Sequence, residues 1–325
     1  MLTFSTDTSR LGLDRPAGPA VYALAVLEAL RSTGKVDVVG PRRAREASVI
    51  LSLDGRFRAG RGQRTVTVVS ELGHLLERRG YGPGEWLVQN WRVAFAARRS
   101  DHIVVPSAAV EVGLARYLGT PPGRVTVFEP HPGPDFRRRS RQEVAELRAT
   151  LGLPPRYLLF VGKRSRRKNL GLLARAWTLA GRRLGTAVGL VLAGPGRGPV
   201  PGAHDVGYVD ARRLPALISG AVAWVNPSLY EGSAIGVLEA ISCGAPPLVA
   251  TTGASPRAAG RAGILLDPHD PEAWAEAIVA VVTNADLRAS LAAAGLKAAA
   301  ELRATPPDPA RLLRDLLGAI AVRPA

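Results

Sequence analysis

Short apolar runs of four or five residues recur along this chain and alternate with longer Ala/Leu/Arg stretches of helical period. The runs at 49–53, 102–105, 157–161 and 247–250 show no polar alternation. A strand that is apolar on both faces needs cover on both faces, which a parallel sheet between two helical layers supplies. Strand and helix in strict alternation therefore predict an α/β architecture. In the first half, strands are expected near 2–5, 36–39, 49–53, 65–69, 102–105 and 125–128, with helices near 19–31, 86–99 and 108–118. In the second half, strands are expected near 157–161, 189–193, 206–209, 221–225, 247–250 and 263–266, with helices near 170–180, 214–220, 235–242 and 271–282. No repeat of 20–50 residues is visible.

A length of 325 residues suggests two domains at roughly 150 residues each. The segment Pro130-His131-Pro132-Gly133-Pro134 interrupts regular structure, because its prolines remove backbone donors. A charged helix at 141–150 and then Gly152-Leu153-Pro154-Pro155 follow. The boundary is placed at about residue 153. The expected units are an acceptor-side domain at 1–152, a donor-binding domain at 153–306, and a C-terminal helix in 307–325 packing back on the first domain.

The single cysteine, Cys243, rules out an internal disulfide and fits a reducing cytoplasm. The N-terminus has no basic region followed by an apolar core, so no signal peptide is expected. No apolar run approaches the roughly 18 residues of a membrane span. The net charge of +16 is spread evenly: residues 1–150 hold 23 Lys and Arg against 15 Asp and Glu, and the remainder 20 against 12. Such a field favours anionic partners, namely nucleotides, phosphorylated lipids, an acidic membrane surface or nucleic acid. Arginines on solvated faces are the plain alternative.

Two stretches carry candidate chemistry. The first is the basic loop Gly162-Lys163-Arg164-Ser165-Arg166-Arg167-Lys168-Asn169, between a strand and a helix. A strand-to-helix turn aims backbone N–H groups and a positive helix end at one spot, and Lys163 and Lys168 add point charges for a diphosphate. A solvated charge run or a nucleic-acid patch has the same composition. No aromatic is interleaved, so base stacking by this loop is not expected. The second stretch runs from Asn226 to Glu239, with Glu231 just after a strand and Glu239 about one turn into the next helix. Eight residues span at most about 12 Å of helix. A carboxylate accepts two hydrogen bonds from a vicinal diol, so two could read two diols of one nucleotide sugar. The backbone amides of Ser233, Ala234 and Ile235 open the helix toward phosphate or sugar oxygens. An N-terminal glutamate favoured by the helix dipole, plus an exposed one, is the competing reading.

Taken together these residues resemble glycosyltransferase family 4, retaining enzymes of GT-B fold. Glu231 and Glu239 match the family's E-x7-E motif within Pro227-Ser228-Leu229-Tyr230-Glu231-Gly232 and Leu238-Glu239-Ala240, followed by Cys243-Gly244-Ala245-Pro246. Gly162 with Lys168-Asn169 resembles its phosphate loop, with Lys163 where many members have Arg. Ile264-Leu265-Leu266-Asp267-Pro268 and Pro271-Glu272-Ala273-Trp274 resemble the stretch after the donor site. Gly18 and the helix after it resemble the Gly-rich loop of the N-terminal domain. The resemblance implies two Rossmann-like doubly wound domains facing a central cleft. It assigns Glu239 to the nucleotide ribose, Glu231 to the donor-sugar hydroxyls, and Lys163 and Lys168 to the departing diphosphate. It implies no cofactor and no metal, a nucleotide-diphosphate sugar with UDP or GDP as the expected base, and retention at the transferred carbon.

The sequence also departs from the family. Ser70-Glu71 stands where a His-Asp pair is common, while His74 matches a second histidine of related sequences and is carried as a catalytic candidate. A helix common after the strand ending near residue 194 is missing, and Pro132-Gly133 replaces Asn-Gly between the domains. The five histidines lack metal-ligand spacing, and Gly194-Pro195-Gly196 is not followed by a helix as a dinucleotide loop requires. Trp86 and Trp91 on a basic helix are expected to pack, with an acceptor-facing or membrane-facing surface as the minority reading. The expected partners are a nucleotide-sugar donor and an acceptor glycan, lipid-linked or small molecule. No nucleic acid is expected, and the expected location is cytoplasmic, with peripheral association at the inner membrane surface. Three alternatives stay open: a catalytically weak GT-B-like binding or partner subunit, a basic nucleic-acid-binding protein, and a nucleotide-sugar epimerase.

Overall fold

The computed structural model describes residues 2–9, 18–196 and 200–321, apart from the side chain of Arg79. The chain divides into two compact units, residues 1–130 with 307–325 and residues 131–306.

The first unit is built on a six-stranded sheet from β1 (Leu2–Thr6), β2 (Val36–Val39), β3 (Val49–Ser52), β4 (Arg64–Val68), β5 (His102–Val105) and β6 (Val125–Val127), in the order β2-β1-β3-β4-β5-β6. All its pairs are parallel. Helices α1 (Gly18–Ser32), α2 (Gly73–Leu76), α3 (Pro83–Arg99) and α4 (Ala108–Leu118) connect the strands. Val49, Ile103, Val104 and Val105 are fully or almost fully buried, as the two-faced apolar runs require. The Ser107 hydroxyl accepts from the Val110 N–H and starts α4, and Gly119 ends it in the left-handed conformation.

The second unit repeats the plan. It contains α5 (Arg141–Thr150), β7 (Tyr157–Val161), α6 (Leu170–Leu184), β8 (Gly189–Ala193), β9 (His204–Gly207) and α7 (Leu214–Ser219). It continues with β10 (Ala223–Asn226), α8 (Ile235–Ser242), β11 (Pro247–Ala250), α9 (Ser255–Ala259), β12 (Ile264–Leu266), α10 (Pro271–Thr283) and α11 (Ala285–Ala304). The parallel order is β12-β11-β10-β7-β8-β9. The chain leaves β7 toward β8 and β9 on one side, then returns to place β10 on the other. The loops after β7 and β10 thus emerge side by side at a topological switch point, where ligands of such sheets bind. One core, with Phe160, Leu172, Leu173, Trp274 and Ile278, covers one face, and a second, with Tyr157, Leu217, Trp224 and Val237, covers the other.

Two expectations need correction. The division falls at residue 130, not near 153, because α5 packs on α7 and both Leu147 and Leu153 sit in the core of the second unit. The 20-residue helix α11 is absent from the sequence reading. Its Ala-rich sequence buries only Gly295 and Ala299 fully, so no apolar stripe marks it. The last helix, α12 (Pro309–Ala321), groups with the first unit. Its Leu312, Leu313, Leu316 and Ile320 enter that unit's core, for a gross gain on the order of 6–10 kcal/mol from burial. Among the described residues between β8 and β9 there is no helix. No single helix among the described residues is long and apolar enough to cross a membrane.

Candidate functional site

Hydrogen bonds zip the β7–α6 and β10–α8 loops together. The Leu229 N–H donates to the Arg167 carbonyl at 2.9 Å, and Arg167 Nη1 donates to the Tyr230 carbonyl at 2.6 Å. Asn169, held in the left-handed region at φ 54°, reaches across with Nδ2 to the carbonyls of Pro227 at 3.2 Å and Pro268 at 2.8 Å.

Glu231 lies at the centre of this arrangement. Its Oε1 accepts from Lys168 Nζ at 2.5 Å and from Asn226 Nδ2 at 3.2 Å. Arg167 Nη1 stands 3.4 Å from its Oε2. The three charged side chains are each only 13–14% exposed. Burial alone would push the Glu231 carboxyl up, but attraction to Lys168 and Arg167 outweighs it and holds the group well below the usual carboxylate range. The backbone beneath it is equally fixed. The Ala254 N–H donates to the Glu231 carbonyl at 2.8 Å. Gly253, at φ +58°, passes so close that a Cβ there would fall 2.2 Å from that carbonyl oxygen, so only glycine fits.

Eight residues on, Glu239 occupies the fifth position of α8 and has the opposite environment. Its carboxyl has no hydrogen bond or ion pair among the described residues. Burial raises its pKa from 4.5 to about 8. It is therefore largely protonated at neutral pH, whereas Glu231 is ionised. Ala234 precedes α8 in the left-handed conformation at φ 49°, a backbone state that costs a non-glycine residue about 1 kcal/mol or more. With Ser233 and Ile235 it forms the helix start, whose first amides have no intrahelical acceptor. Gly236 lets this helix approach β10, since a Cβ there would meet the Trp224 ring at 2.9 Å.

The remaining candidates are placed as follows. Lys163 is exposed on the same loop as Lys168 and is unpaired among the described residues, while its neighbour Arg164 is clamped by Asp205. Gly18 and His74 belong to the first unit. Gly18 is the exposed first residue of α1, and a Cβ on it would meet nothing within 4 Å, so sterics do not require glycine there. His74, in α2, is 2% exposed with Nε2 unpartnered. Burial lowers its pKa to about 4, leaving it neutral at physiological pH. Its carbonyl accepts from Trp86 Nε1 at 3.0 Å. The sequence reading missed Arg167, Asn226 and Gly253. Arg167 lies within an unbroken basic run, and nothing local separates it from Arg166.

The span 155–284, which holds Lys163, Lys168, Glu231 and Glu239, matches the family profile "Glycosyl transferases group 1". The O-antigen chain mannosyltransferase B of Escherichia coli is 31% identical over 153 residues, covering 43% of this chain and 40% of that protein. The chain spans about half the length of the curated relatives it matches, from 40% to 52%. Sucrose-phosphate synthase from Thermosynechococcus elongatus superposes with a TM-score of 0.77 at 18% identity, covering 98% of this chain and 100% of that one. Anabaena HepE, solved in complex with UDP-glucose, superposes with a TM-score of 0.73 at 15% identity, covering 99% and 100%. At these identities the likeness speaks for the fold. The chain is thus a protein of GT-B fold, with two parallel-sheet Rossmann-like domains, whose residues 155–284 match the glycosyl transferases group 1 family.

Proposed function

We propose that this chain is a retaining glycosyltransferase that moves a sugar from a nucleotide-diphosphate donor to an acceptor hydroxyl without a metal ion. The observation that carries this reading is the pair of carboxyl groups at the switch point of the second sheet. Glu231 is held ionised by Lys168 and Arg167, while Glu239 is left without a partner. A half-buried carboxyl without a partner is open to a ligand's donors, and a ribose diol offers it two. The HepE complex with UDP-glucose on the same fold supports a nucleotide sugar as ligand, with UDP or GDP as the expected base.

The roles follow from charge. A bound diphosphate competes with Glu231 for Lys168 and draws the exposed Lys163 toward it. The Glu231 carboxylate then turns to the donor-sugar hydroxyls. Negative charge growing on the leaving phosphate is met by Lys163, Lys168 and the first amides of α8, which are in place before reaction. The acceptor hydroxyl attacks the anomeric carbon from the face the nucleoside diphosphate leaves, and its proton passes to the departing phosphate oxygen. His74, neutral and with a free Nε2, is assigned to the acceptor side. The acceptor is a glycan, a lipid-linked molecule or a small molecule. The test is turnover of UDP- and GDP-sugars in excess EDTA, followed by NMR of the anomeric proton. Retention predicts that the first-formed product keeps the donor's anomeric configuration. An inverted first product, or turnover abolished by EDTA and restored by a divalent cation, would contradict the proposal.

A further inference from the structure

Helix α3 presents an apolar face to solvent that the proposed donor chemistry does not use. Leu87, Trp91, Ala94 and Arg98 recur at i, i+4, i+7 and i+11 and so share one side of the helix. Leu87 is 63% exposed, Trp91 61% and Val88 46%. The opposite side, with Val93, Ala96 and Ala97, is buried in the first unit. Trp91 stacks on Phe95 at 5.4 Å between ring centroids, and Phe95 meets Phe57 at 5.2 Å. Phe57 belongs to a loop pressed against α3, since Gly55 lies within 3.5 Å of Arg92 at its Cβ position.

The rim of this aromatic row is cationic. Arg56 and Arg58 flank Phe57, Arg61 follows, and Arg98 and Arg99 close the helix, all of them exposed. Only Arg56 among them has an ion-pair partner among the described residues. Asp54 pairs with Arg56 at 3.7 Å, and Glu85 lies about 160° around the helix from Leu87. A rigid strip of Trp, Leu, Val and Phe edged by arginines, on a chain of net charge +16, combines apolar insertion with attraction to anionic headgroups. Long arginine stems can lie along the apolar strip while their guanidinium groups reach phosphate.

We propose that the outer face of α3, with the Phe57 loop, docks on an anionic phospholipid surface. The protein remains folded and peripheral, inserting only Leu87, Val88 and Trp91 to headgroup depth. This does not depend on the donor reading. The experiment is co-sedimentation of the full chain with vesicles of phosphatidylcholine alone and with 30 mol% phosphatidylglycerol. It is run for wild type, Leu87→Ser/Trp91→Ser and Arg58→Glu/Arg98→Glu, with circular dichroism and sedimentation velocity as controls. The expected result is binding to the anionic vesicles that falls at least tenfold in both double variants, with fold and sedimentation coefficient unchanged. Binding only weakly dependent on the phosphatidylglycerol content, or undiminished in the variants, would overturn the proposal. So would no binding at all, or a shift of the wild type from oligomer to monomer on Leu87→Ser/Trp91→Ser, which would make the face an interface between copies.

Discussion

Glu239→Gln removes an ionisable group without changing the size of the side chain. In the native state this carboxyl keeps its proton up to about pH 8, whereas an unperturbed glutamate releases it near 4.5. Between those values the unfolded chain ionises and the native chain does not, so wild-type stability falls as pH rises. From a pKa of 4.5 to one of about 8, the loss accumulated by pH 7 is about 3 kcal/mol, against under about 1 kcal/mol at pH 5. Glutamine mimics the protonated acid at every pH and escapes this loss. Thermal denaturation of the ligand-free protein should show the variant level with wild type near pH 4.5 and more stable by about 5–10 °C at pH 7.5. The same variant should bind nucleoside diphosphate more weakly, because glutamine cannot accept both hydroxyl protons of a diol as a carboxylate can. A variant less stable than wild type at pH 7.5, or a difference independent of pH, would refute the reasoning that Glu239 is held uncompensated.

The other predictions concern the floor and the cations of the same site. Gly253→Ala should destabilise the second unit by at least about 2 kcal/mol in denaturant titration, because a Cβ cannot occupy a point 2.2 Å from the Glu231 carbonyl oxygen. Lys168→Met should cost about 3 kcal/mol, as the rupture of a largely buried pair does. It should also weaken the acid dependence of stability. In wild type the depressed Glu231 pKa gives stability that is present above about 4.5 and lost as pH falls below it. With only Arg167 left, that acid-side slope should flatten, which urea melts between pH 3 and 6 would read. A slope equal to wild type would mean that Lys168 does not hold the Glu231 charge.

Much of this was legible in the residues. The strands were found to within a residue or two because a continuous apolar run such as 157–161 has no other use in a chain of this pattern. Helix α8 was legible because Ile235, Val237 and Leu238 resume after a turn. The domain boundary was misread because prolines mark loops, not ownership: α5 follows the Pro-rich stretch yet buries Leu147 against the second unit. Helix α11 escaped because alanine carries little periodic signal. At the site, the two glutamates and Lys168 were visible as types in a pattern. What spacing could not show is that Lys168 and Glu231, 63 residues apart, close to 2.5 Å, or that Arg167 joins them. Pairing across a sheet is decided by strand order, and only the crossover between β7 and β10 puts these loops together.

The central claim is that the second unit holds a nucleotide-diphosphate donor through Glu239 and the basic loop. Calorimetric titration of wild type and Glu239→Ala with UDP, GDP, ADP and dTDP tests it most directly. The account predicts micromolar binding of one nucleotide, UDP or GDP, that weakens at least tenfold in the variant and tightens as pH rises from 7 to 9. No binding by any of the four, or binding indifferent to the substitution, would contradict it.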